Sequence, residues 1–145
     1  MIRIQAEPFD PAAELAAFAA GVAGAGAIAS FTGLVRGGGN VSGLELDHYP
    51  ALTERAVTAI GGDARARFGL AGLAIIHRYG ALAPGEPIVF VAAAAAHRRA
   101  AFDAVDYLMD RLKTEAPFWK REHGPDGPRW IEAREADLED RARWG

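Results

Sequence analysis

Short stretches of the chain alternate apolar and polar residues, and longer stretches between them carry apolar residues every three or four positions. Alternation is the period of a half-buried strand, and the wider spacing is the period of an amphipathic helix. The pattern predicts three helices among seven strands, in the order β-α-β-β-α-β-β-α-β-β. Helices placed among hairpins favour an α+β domain with a mainly antiparallel sheet over a doubly wound parallel one.

The ends of the helices are marked by residues with known capping or breaking preferences. Asp10 is a side-chain N-cap for the first helix, Gly69 is placed to stop the second, and Pro117 cannot continue the third. The predicted helices span residues 11–23, 50–68 and, starting at 96 or 97, up to 116. Each has an apolar stripe at helical spacing, so one face of each helix is expected to be buried.

Strands are predicted where alternating, β-branched or aromatic residues lie between turn residues. They span residues 1–5, 27–35, 44–49, 72–79, 87–95, 118–122 and 129–135. The second and third strands are expected to form a hairpin across the glycine-rich residues 36–40. Pro84 and Gly85 suit the two central positions of a type II turn between the fourth and fifth strands.

Chain length sets the expected domain organisation. The 145 residues, half of them hydrophobic, are enough for one domain with a sizeable core. We therefore expect a single domain over residues 1–145. Residues 135–145 are highly charged, and we expect them to form a flexible tail with Trp144 as its one strong anchor.

Composition limits the compartment and the class of function. The net charge of -3 and the pI near 5.8 disfavour a nucleic-acid role, which needs a basic surface. The absence of cysteine excludes disulfides and a cysteine nucleophile in this chain, and it fits a reducing compartment. The N-terminal residues do not read as a secretory signal, and the apolar runs are far below the ~20 residues that span a bilayer. We expect a cytoplasmic protein.

Both lysines of the chain, Lys113 and Lys120, lie in one short segment, LKTEAPFWKRE. A lysine ammonium can give up its proton when burial or nearby cations lower its pKa, whereas arginine stays charged. Arg111 and Arg121 neighbour the two lysines and favour such a shift. A working pair of amines is therefore a candidate. The alternative is structural, since Lys113 would complement the dipole of the third helix and Lys120 would be a solvated strand residue.

Basic residues also occupy the first turn of the third helix, where the helix dipole disfavours cations. His97, Arg98 and Arg99 stand there, and a bound phosphate or carboxylate would make the placement favourable. Pairing of the two arginines with nearby acids of the same helix explains the pattern equally well. Arg36 ends the second strand and could reach a pocket at the edge of the sheet, or it could be solvated.

Sequence signals for common cofactor and metal sites are missing. The three glycines after Arg36 lead into no GK[ST] motif, and no dinucleotide-binding spacing is present. The histidines share no metal-ligand spacing. They are His48, His77, His97 and His123. No GxSxG motif is present, and serine is too scarce for a persuasive hydrolase triad. We predict neither a metal nor a cofactor.

Five segments together resemble the large, catalytic subunit of molybdopterin synthase. They are FTGLVR (31–36), LELDHYP (44–50), IIHRYGALAPGEPIVFV (75–91), AHR (96–98) and LKTEAPFWKRE (112–122). The KTEAPFWKRE motif is highly specific, and HRYGALAPGE is a second marker. The resemblance covers residues 28 to 134 and implies an α/β hammerhead-like fold with an added α+β portion.

The resemblance also implies an activity and partners. The family is a sulfurtransferase of molybdenum cofactor biosynthesis, and it converts cyclic pyranopterin monophosphate into molybdopterin by inserting two sulfurs as a dithiolene. The sulfur arrives as a thiocarboxylate on the C-terminal Gly-Gly of a small ubiquitin-like subunit. Two large subunits form a homodimer with one small subunit at each outer end, which makes a heterotetramer.

Site residues follow from the same resemblance, position by position. The family's two catalytic lysines fall on Lys113 and Lys120. Its substrate-binding positions fall on Leu34, Val35, Arg36, His97, Arg98, Arg121 and Glu122. Because the family site lies near the dimer interface, His97 and Arg98 can belong to the pocket of the same chain or of its neighbour.

Three other functions compete with this interpretation. One is a lysine Schiff-base enzyme that acts on a small phosphorylated carbonyl compound. Another is a non-catalytic module that binds the extended C-terminal tail of a partner beside a sheet. The third, a simple anion-binding or nucleic-acid-binding domain, fits the acidic pI least well.

Overall fold

Two four-stranded sheets and four helices build the part of the chain that the computed structural model describes, residues 1–37, 42–125, 127–131 and 134–145. The first sheet contains, from edge to edge, β1 (Ile2–Gln5), β4 (Gly72–Arg78), β6 (Pro87–Ala95) and β2 (Ala27–Leu34). The second contains β5 (Gly80–Leu82), β3 (Gly43–His48), β7 (Phe118–Gly124) and β8 (Gly127–Ile131). The helices are α1 (Pro11–Gly21), α2 (Pro50–Phe68), α3 (Arg98–Glu115) and α4 (Glu135–Ala142).

The expected fold class is confirmed. Among the described strands, β1 and β4 pair in parallel and every other pairing is antiparallel. The helix ends follow the capping signals. Asp10 accepts hydrogen bonds from the backbone N–H groups of Ala12 and Ala13, and Gly69 takes the left-handed conformation that ends α2.

Helices cover both faces of the first sheet. Val57 and Ile60 of α2 and Leu108 of α3 are buried in one cluster with the sheet residues Ile75 and Val91. On the opposite face, α1 packs its apolar side chains against Ala74, Ile76, Phe90 and Ala92. The central strand β6 is therefore buried on both sides, which explains its continuous apolar run of residues 87–95.

The predicted hairpin of the second and third strands is wrong. β2 pairs with β6 in the first sheet, and β3 pairs with β5 and β7 in the second. The residues between them, 38–41, lie outside the described part. Neighbouring strands in sequence often pair, but here Ala29 of β2 is buried in the main core cluster, whereas Leu46 of β3 is buried in a separate cluster. Val35, at the end of β2, packs against Leu46 of β3 and thereby joins the two sheets.

The connection between β4 and β6 contains a strand that the pattern did not predict. Gly80–Leu82 forms β5, a three-residue edge strand of the second sheet. The predicted turn follows it: Gly85 has φ +86, and the N–H of Glu86 donates to the carbonyl oxygen of Ala83 at 3.1 Å. The same segment therefore carries the chain from one sheet into the other and back.

The C-terminal residues form a fourth helix instead of the expected flexible tail. The side chain of Asp110 in α3 accepts hydrogen bonds from Trp144 Nε1 at 2.6 Å and from Arg143 at 2.7 Å. The Trp144 ring also packs edge-on against Phe68 and Tyr107. Charge composition alone suggested a solvated tail because the partners of these arginines and of Trp144 lie on distant parts of the chain.

No helix in the described part of the chain is long and apolar enough to cross a membrane.

Replacing Trp144 with alanine tests how the C-terminal helix is held. We expect Trp144→Ala to lower the free energy of unfolding by about 2 kcal/mol, because it removes a half-buried aromatic side chain and leaves Asp110 with one donor fewer. Urea denaturation measures the loss, and limited proteolysis should cut within α4 first. Leu138→Ala, on the exposed face of the same helix, is the control and should change neither. Equal behaviour of the two variants would contradict the docking.

Candidate active site

The break between α3 and β7 brings the two lysines together. Lys113 lies in the last turn of α3, and Lys120 is the third residue of β7. Pro117 separates the helix from the strand, and its carbonyl oxygen accepts a hydrogen bond from the buried hydroxyl of Thr53 in α2 at 3.0 Å. This hydrogen bond fixes the break between α3 and β7 to a neighbouring helix. The break sets the relative position of Lys113 and Lys120.

Lys120 lies in a partly desolvated place. Its neighbours across the sheet are Leu46 of β3 and Ile131 of β8. Burial lowers the pKa of the Lys120 ammonium below its ordinary value, and the charge of Lys113 lowers it further. The opposite charge of Asp137 in α4 works against this shift. The charge of Lys113 therefore acts on the amine of Lys120.

A stack of aromatic rings stands beside the lysines, at the junction of the two sheets. His77, at the end of β4, stacks on Phe118 of β7 with ring centroids 4.0 Å apart and planes inclined by 14°. On the other side of Phe118, the ring centroid of His48 lies 6.1 Å from that of Phe118 and 4.0 Å from that of Tyr79. Phe118 and Lys120 are two residues apart on β7, so their side chains leave the same face of the strand. The stack therefore forms an apolar wall next to the amines.

His77 remains neutral at physiological pH. Burial lowers the pKa of its imidazole to about 4, and repulsion by Lys120, Lys113 and His48 adds to the effect. A hydrogen bond between Nδ1 and the carbonyl oxygen of Arg78, 2.9 Å apart, works in the opposite direction. His77 therefore contributes no positive charge that would compete with the lysines.

The residues that follow His77 are held by a buried arginine. Arg78 donates from Nε and Nη2 to the carbonyl oxygen of Ala6 and from Nη1 to Glu86 at 2.9 Å. The other carboxylate oxygen of Glu86 accepts the N–H of Ala83, and these contacts lower the pKa of Glu86. The HRYGALAPGE motif is thus a clamp that fixes the end of β4 and the turn before β6.

An acidic residue from the C-terminal helix faces the lysines. Asp137 forms an ion pair with Arg134 at 3.1 Å, and that contact lowers the pKa of its carboxyl group. The charge of Lys113 lowers the same pKa. Asp137 therefore stays ionised and partly balances the two amines.

The end of β2 lies on the same side of the molecule as the lysines. Arg36 follows β2 and is exposed, as is Leu34. Val35 is different, because its side chain is buried against Leu46, the cross-strand neighbour of Lys120. Of the predicted substrate contacts at this edge, the side chains of Leu34 and Arg36 are available, whereas that of Val35 is part of the core.

The structure places His97 and Arg98 away from the lysines of the same chain. His97 is the N-cap of α3 and Arg98 its first residue. The fifteen residues of helix that lead from Arg98 to Lys113 span about 22 Å. Both residues are exposed beside Ala27, the first residue of β2. One chain therefore does not bring Arg36, His97 and Arg98 into one anion site.

The last two predicted substrate-binding residues, Arg121 and Glu122, are neighbours on β7. Side chains at neighbouring positions of a strand leave opposite faces of the sheet, so these two side chains are separated. Glu122 lies on the face of Lys120, opposite Leu44. Arg121 lies on the other face, where it pairs with Glu45 at 3.2 Å and stacks on Trp130. The side chain of Arg121 is thus outside the space that the lysines share, although the two residues are adjacent in sequence.

A hollow of about 470 Å³ lies at this end of the second sheet. Tyr49 and Trp119 line it with ring centroids 5.1 Å apart, together with Asp47 and with His48 and Tyr79 of the aromatic stack. Flat rings with one carboxylate suit a planar ligand that carries hydrogen-bond donors.

Sequence reasoning missed two members of the site, His77 and Asp137. His77 was considered as a possible metal ligand and as part of the HRYGALAPGE marker, without a role at the site. Its place beside the lysines depends on the pairing of β4 with β6 and on its stacking with Phe118. Asp137 lay in the segment that the charge pattern assigned to a flexible tail. In the described part of the chain, no three histidine or acidic side chains cluster in a way that could hold a metal ion.

Comparisons with known proteins find a matching family and similar structures. Residues 4–115 match the MoaE protein family. The protein named molybdopterin synthase catalytic subunit from Caulobacter vibrioides is 52% identical over 145 residues, which cover 99% of this chain and 97% of that protein. The structure of the molybdopterin biosynthesis MoaE protein from Burkholderia ambifaria has a TM-score of 0.85 and 48% identity, and the match covers 100% of this chain and 97% of that one.

A structure of lower sequence similarity shares the fold. It is a protein–protein complex of subunits 1 and 2 of molybdopterin-converting factor from Helicobacter pylori, and its matching chain has a TM-score of 0.77 at 24% identity. The match covers 92% of this chain and 90% of that one.

The influence of Lys113 on Lys120 can be measured directly, because selective ¹⁵N-lysine labelling gives signals from two side chains alone. We expect Lys120 Nζ to titrate below the ordinary lysine pKa in the wild-type protein. In Lys113→Gln the titration midpoint of Lys120 should rise, because the repelling charge is gone.

Lys113→Arg is the matched control for this titration. It keeps the positive charge, so the midpoint of Lys120 should stay low. A Lys120 midpoint that is the same in the glutamine and arginine variants would show that the two amines do not share a site.

Proposed function

The chain belongs to the MoaE protein family, and from that membership we propose that it acts as the catalytic subunit of a molybdopterin synthase. The reaction is the conversion of cyclic pyranopterin monophosphate into molybdopterin, in which two sulfurs are added to make a dithiolene. The observation that carries the proposal is the arrangement of the two lysines about the break at Pro117, where Lys120 is partly buried and the exposed Lys113 lies close enough for its charge to lower the pKa of Lys120.

The sulfur donor in this proposal is a small ubiquitin-like subunit with a thiocarboxylate at its C-terminal glycine. This chain has no cysteine, so a sulfur atom for the product has to come from another molecule. The structure from Helicobacter pylori that shares this fold is itself a complex of two subunits. A chain without cysteine also fits a reducing compartment, and we include the cytoplasm in the proposal.

The lysines would act on the bonds that change. When the thiocarboxylate sulfur attacks a substrate carbon, the oxygen that leaves that carbon needs a proton. The ammonium of Lys113 or Lys120 can supply it, and a lowered pKa makes Lys120 the better donor near neutral pH. Water would then hydrolyse the thioester that joins the tail to the substrate, which frees the tail as a carboxylate and leaves the sulfur on the substrate carbon. The remaining ammonium would stabilise the negative charge that develops on the carbonyl oxygen of the tail in this step.

The phosphate of the substrate would be held by basic residues from two chains. β2 is an edge strand of the first sheet as far as the described residues show, and it exposes Ile28, Phe31 and Leu34. A long apolar edge of this kind is a typical surface for self-association. Antiparallel pairing of β2 with its copy in a second chain would bring the Ala27 end of one strand beside the Leu34 end of the other.

Such pairing would bring together basic residues that lie far apart within one chain. Because His97 and Arg98 lie beside Ala27, those of the second chain would meet Arg36 of the first. A twofold dimer would then contain two complete sites, each with its lysines and Arg36 from one chain and its His97 and Arg98 from the other. One small subunit for each site makes the heterotetramer.

Substitution of the lysines tests the proposed chemistry. We expect Lys113→Arg and Lys120→Arg each to keep the fold and to lower turnover at least a hundredfold, because arginine keeps the charge but cannot give up a proton. The assay combines the variant with a thiocarboxylated small subunit and cyclic pyranopterin monophosphate, and mass spectrometry detects the dithiolene product. Circular dichroism checks the fold, and near-normal product formation by both variants would contradict the assignment.

The same assay separates the competing functions. A lysine Schiff-base enzyme also needs an amine of lowered pKa, so borohydride is added to a parallel sample. Trapping of the substrate on Lys120, without any need for the small subunit, would favour the Schiff-base reaction. Binding of the small subunit without product would favour a non-catalytic module.

Mixed dimers test whether two chains share one site. Lys113→Gln/Lys120→Gln and His97→Ala/Arg98→Ala double variants should each be inactive alone. In a dimer of one chain of each kind, one of the two sites would have all its residues. We expect coexpression to restore roughly a quarter of wild-type turnover, since about half of the dimers are mixed and each has one good site. If each chain built its own site, a mixed dimer would contain no complete site and turnover would not return. Absence of restored turnover would therefore contradict the shared site.

A further inference from the structure

The residue before Arg36 is held by the turn at residues 83–86, between β5 and β6. The backbone N–H of Val35 donates to the carbonyl oxygen of Glu86 at 2.9 Å. The carbonyl oxygen of Val35 accepts a hydrogen bond from the N–H of Gly85 at 2.8 Å. The side chain of Val35 is buried in the cluster that joins the two sheets. Backbone and side chain are therefore both fixed, and they set where the backbone of Arg36 begins.

The residue after Arg36 packs against the same turn. Gly37 lies so close to Pro84 that a Cβ added at Gly37 would stand 2.5 Å from the Cβ of Pro84. Two carbon atoms that are not bonded to each other do not approach so closely, so only glycine fits at this position. Arg36 is thus flanked on both sides by residues that the turn holds.

The turn itself is held by the buried Arg78. The carboxylate of Glu86 accepts hydrogen bonds from Nη1 of Arg78 at 2.9 Å and from the backbone N–H of Ala83 at 2.7 Å. It therefore ties the first and last residues of the turn to the end of β4. The guanidinium of Arg78 is anchored in addition on the carbonyl oxygen of Ala6.

The guanidinium of Arg36 is available to a ligand. The residue is exposed, and no carboxylate among the residues that the structure describes forms an ion pair with it. A phosphate accepts hydrogen bonds from such a fork of N–H groups. Because the neighbouring backbone is already ordered, less conformational freedom is lost when an anion binds there.

We propose that the turn at residues 83–86 positions Arg36 for the phosphate of the substrate, and that Glu86 and Gly37 are positioning residues for this contact. This role rests on the proposed function, in which Arg36 binds that phosphate. Glu86 and Gly37 need not touch the substrate. Glu86 holds the turn, the turn holds the two neighbours of Arg36, and the guanidinium therefore starts from a fixed backbone.

Substitutions can loosen this arrangement at two separate points. Glu86→Ala removes the carboxylate that ties the turn to Arg78, and Glu86→Gln keeps its shape but loses its charge. Gly37→Ala introduces the Cβ that has no room beside Pro84. Because Pro84→Gly removes the opposing Cβ, the double variant Gly37→Ala/Pro84→Gly should behave like Pro84→Gly alone. Gly62→Ala is the control, since a Cβ at Gly62 would meet nothing within 4 Å.

The first readout needs neither substrate nor small subunit. The chain has no cysteine, so Arg36→Cys carries a single thiol that takes a nitroxide spin label at that position alone. We expect the rotational correlation time of the label to shorten about twofold when Glu86→Ala or Gly37→Ala is added, because residue 36 loses its support. Gly62→Ala should leave the spectrum unchanged. Equal mobility of the label in all these backgrounds would overturn the proposal.

The second readout is turnover with the small subunit and the pyranopterin substrate. Glu86→Ala and Gly37→Ala should each raise KM for the pyranopterin about tenfold with little change in kcat, because they disturb substrate binding and leave the lysines in place. Circular dichroism checks the fold, and Glu86→Gln, with a smaller rise in KM, replaces the alanine variant if that variant does not fold. An unchanged KM in both variants, or a fall in kcat alone, would contradict the positioning role.

A double-mutant cycle shows whether these residues act through Arg36. In the Arg36→Ala background, Glu86→Ala and Gly37→Ala should raise KM no further, because the side chain that they position is absent. Additive increases in KM would show that the two residues affect binding by another route, and would overturn the proposal. Failure of the proposed function is distinguishable, since the wild-type protein would then make no product while the spin label still loosened in the variants.

Discussion

The end of α3 at Pro117 is the constraint on which the site depends. A helix that continued past this point would carry Lys113 and Lys120 on one rod, seven residues and about 10 Å apart, with no strand to hold the second amine. Because proline cannot extend the ladder, the chain leaves the helix and enters β7. The hydroxyl of Thr53 then holds the carbonyl oxygen of Pro117, and the angle between helix and strand is fixed.

The chemistry at this break depends on how two sheets meet. β7 belongs to the second sheet, whereas His77 lies at the end of β4 in the first. Phe118 of β7 stacks between His77 and His48. Burial near this junction desolvates Lys120, and the neutral ring of His77 supplies no charge. The result is an amine whose pKa is lowered by its surroundings and by a second amine, as a proton donor near neutral pH requires.

The C-terminal helix is part of this environment rather than an appendage. It is fixed at its far end by Trp144 and Arg143 on Asp110, and at its near end it presents Asp137 to the lysines. The acid offsets part of the repulsion between the amines, which would otherwise cost stability. A change in the docking of α4 would therefore move the charge of Asp137 and alter the electrostatic environment of the lysines. This effect requires no contact between α4 and the substrate.

The sequence by itself determined most of the elements, β5 and α4 excepted, and the chemistry that one segment can carry. Pro117, Gly69 and Asp10 mark helix ends because their effects are local to the backbone, and the alternation of β7 requires no partner to be recognised. The pair of lysines was visible because both fall within eight residues of one motif. Local preferences and short spacings are written in the chain itself.

Tertiary structure alone decided which of these residues share a space. The alternation of β7 separates Arg121 from Lys120, and the length of α3 separates Arg98 from Lys113, although sequence motifs had grouped them. Tertiary structure also placed His77 and Asp137 near Lys120, although they lie 43 residues before it and 17 residues after it in the chain. Strand pairing and helix docking bury apolar surface between segments that are far apart in the chain, and a local pattern carries no information about which distant segment that will be.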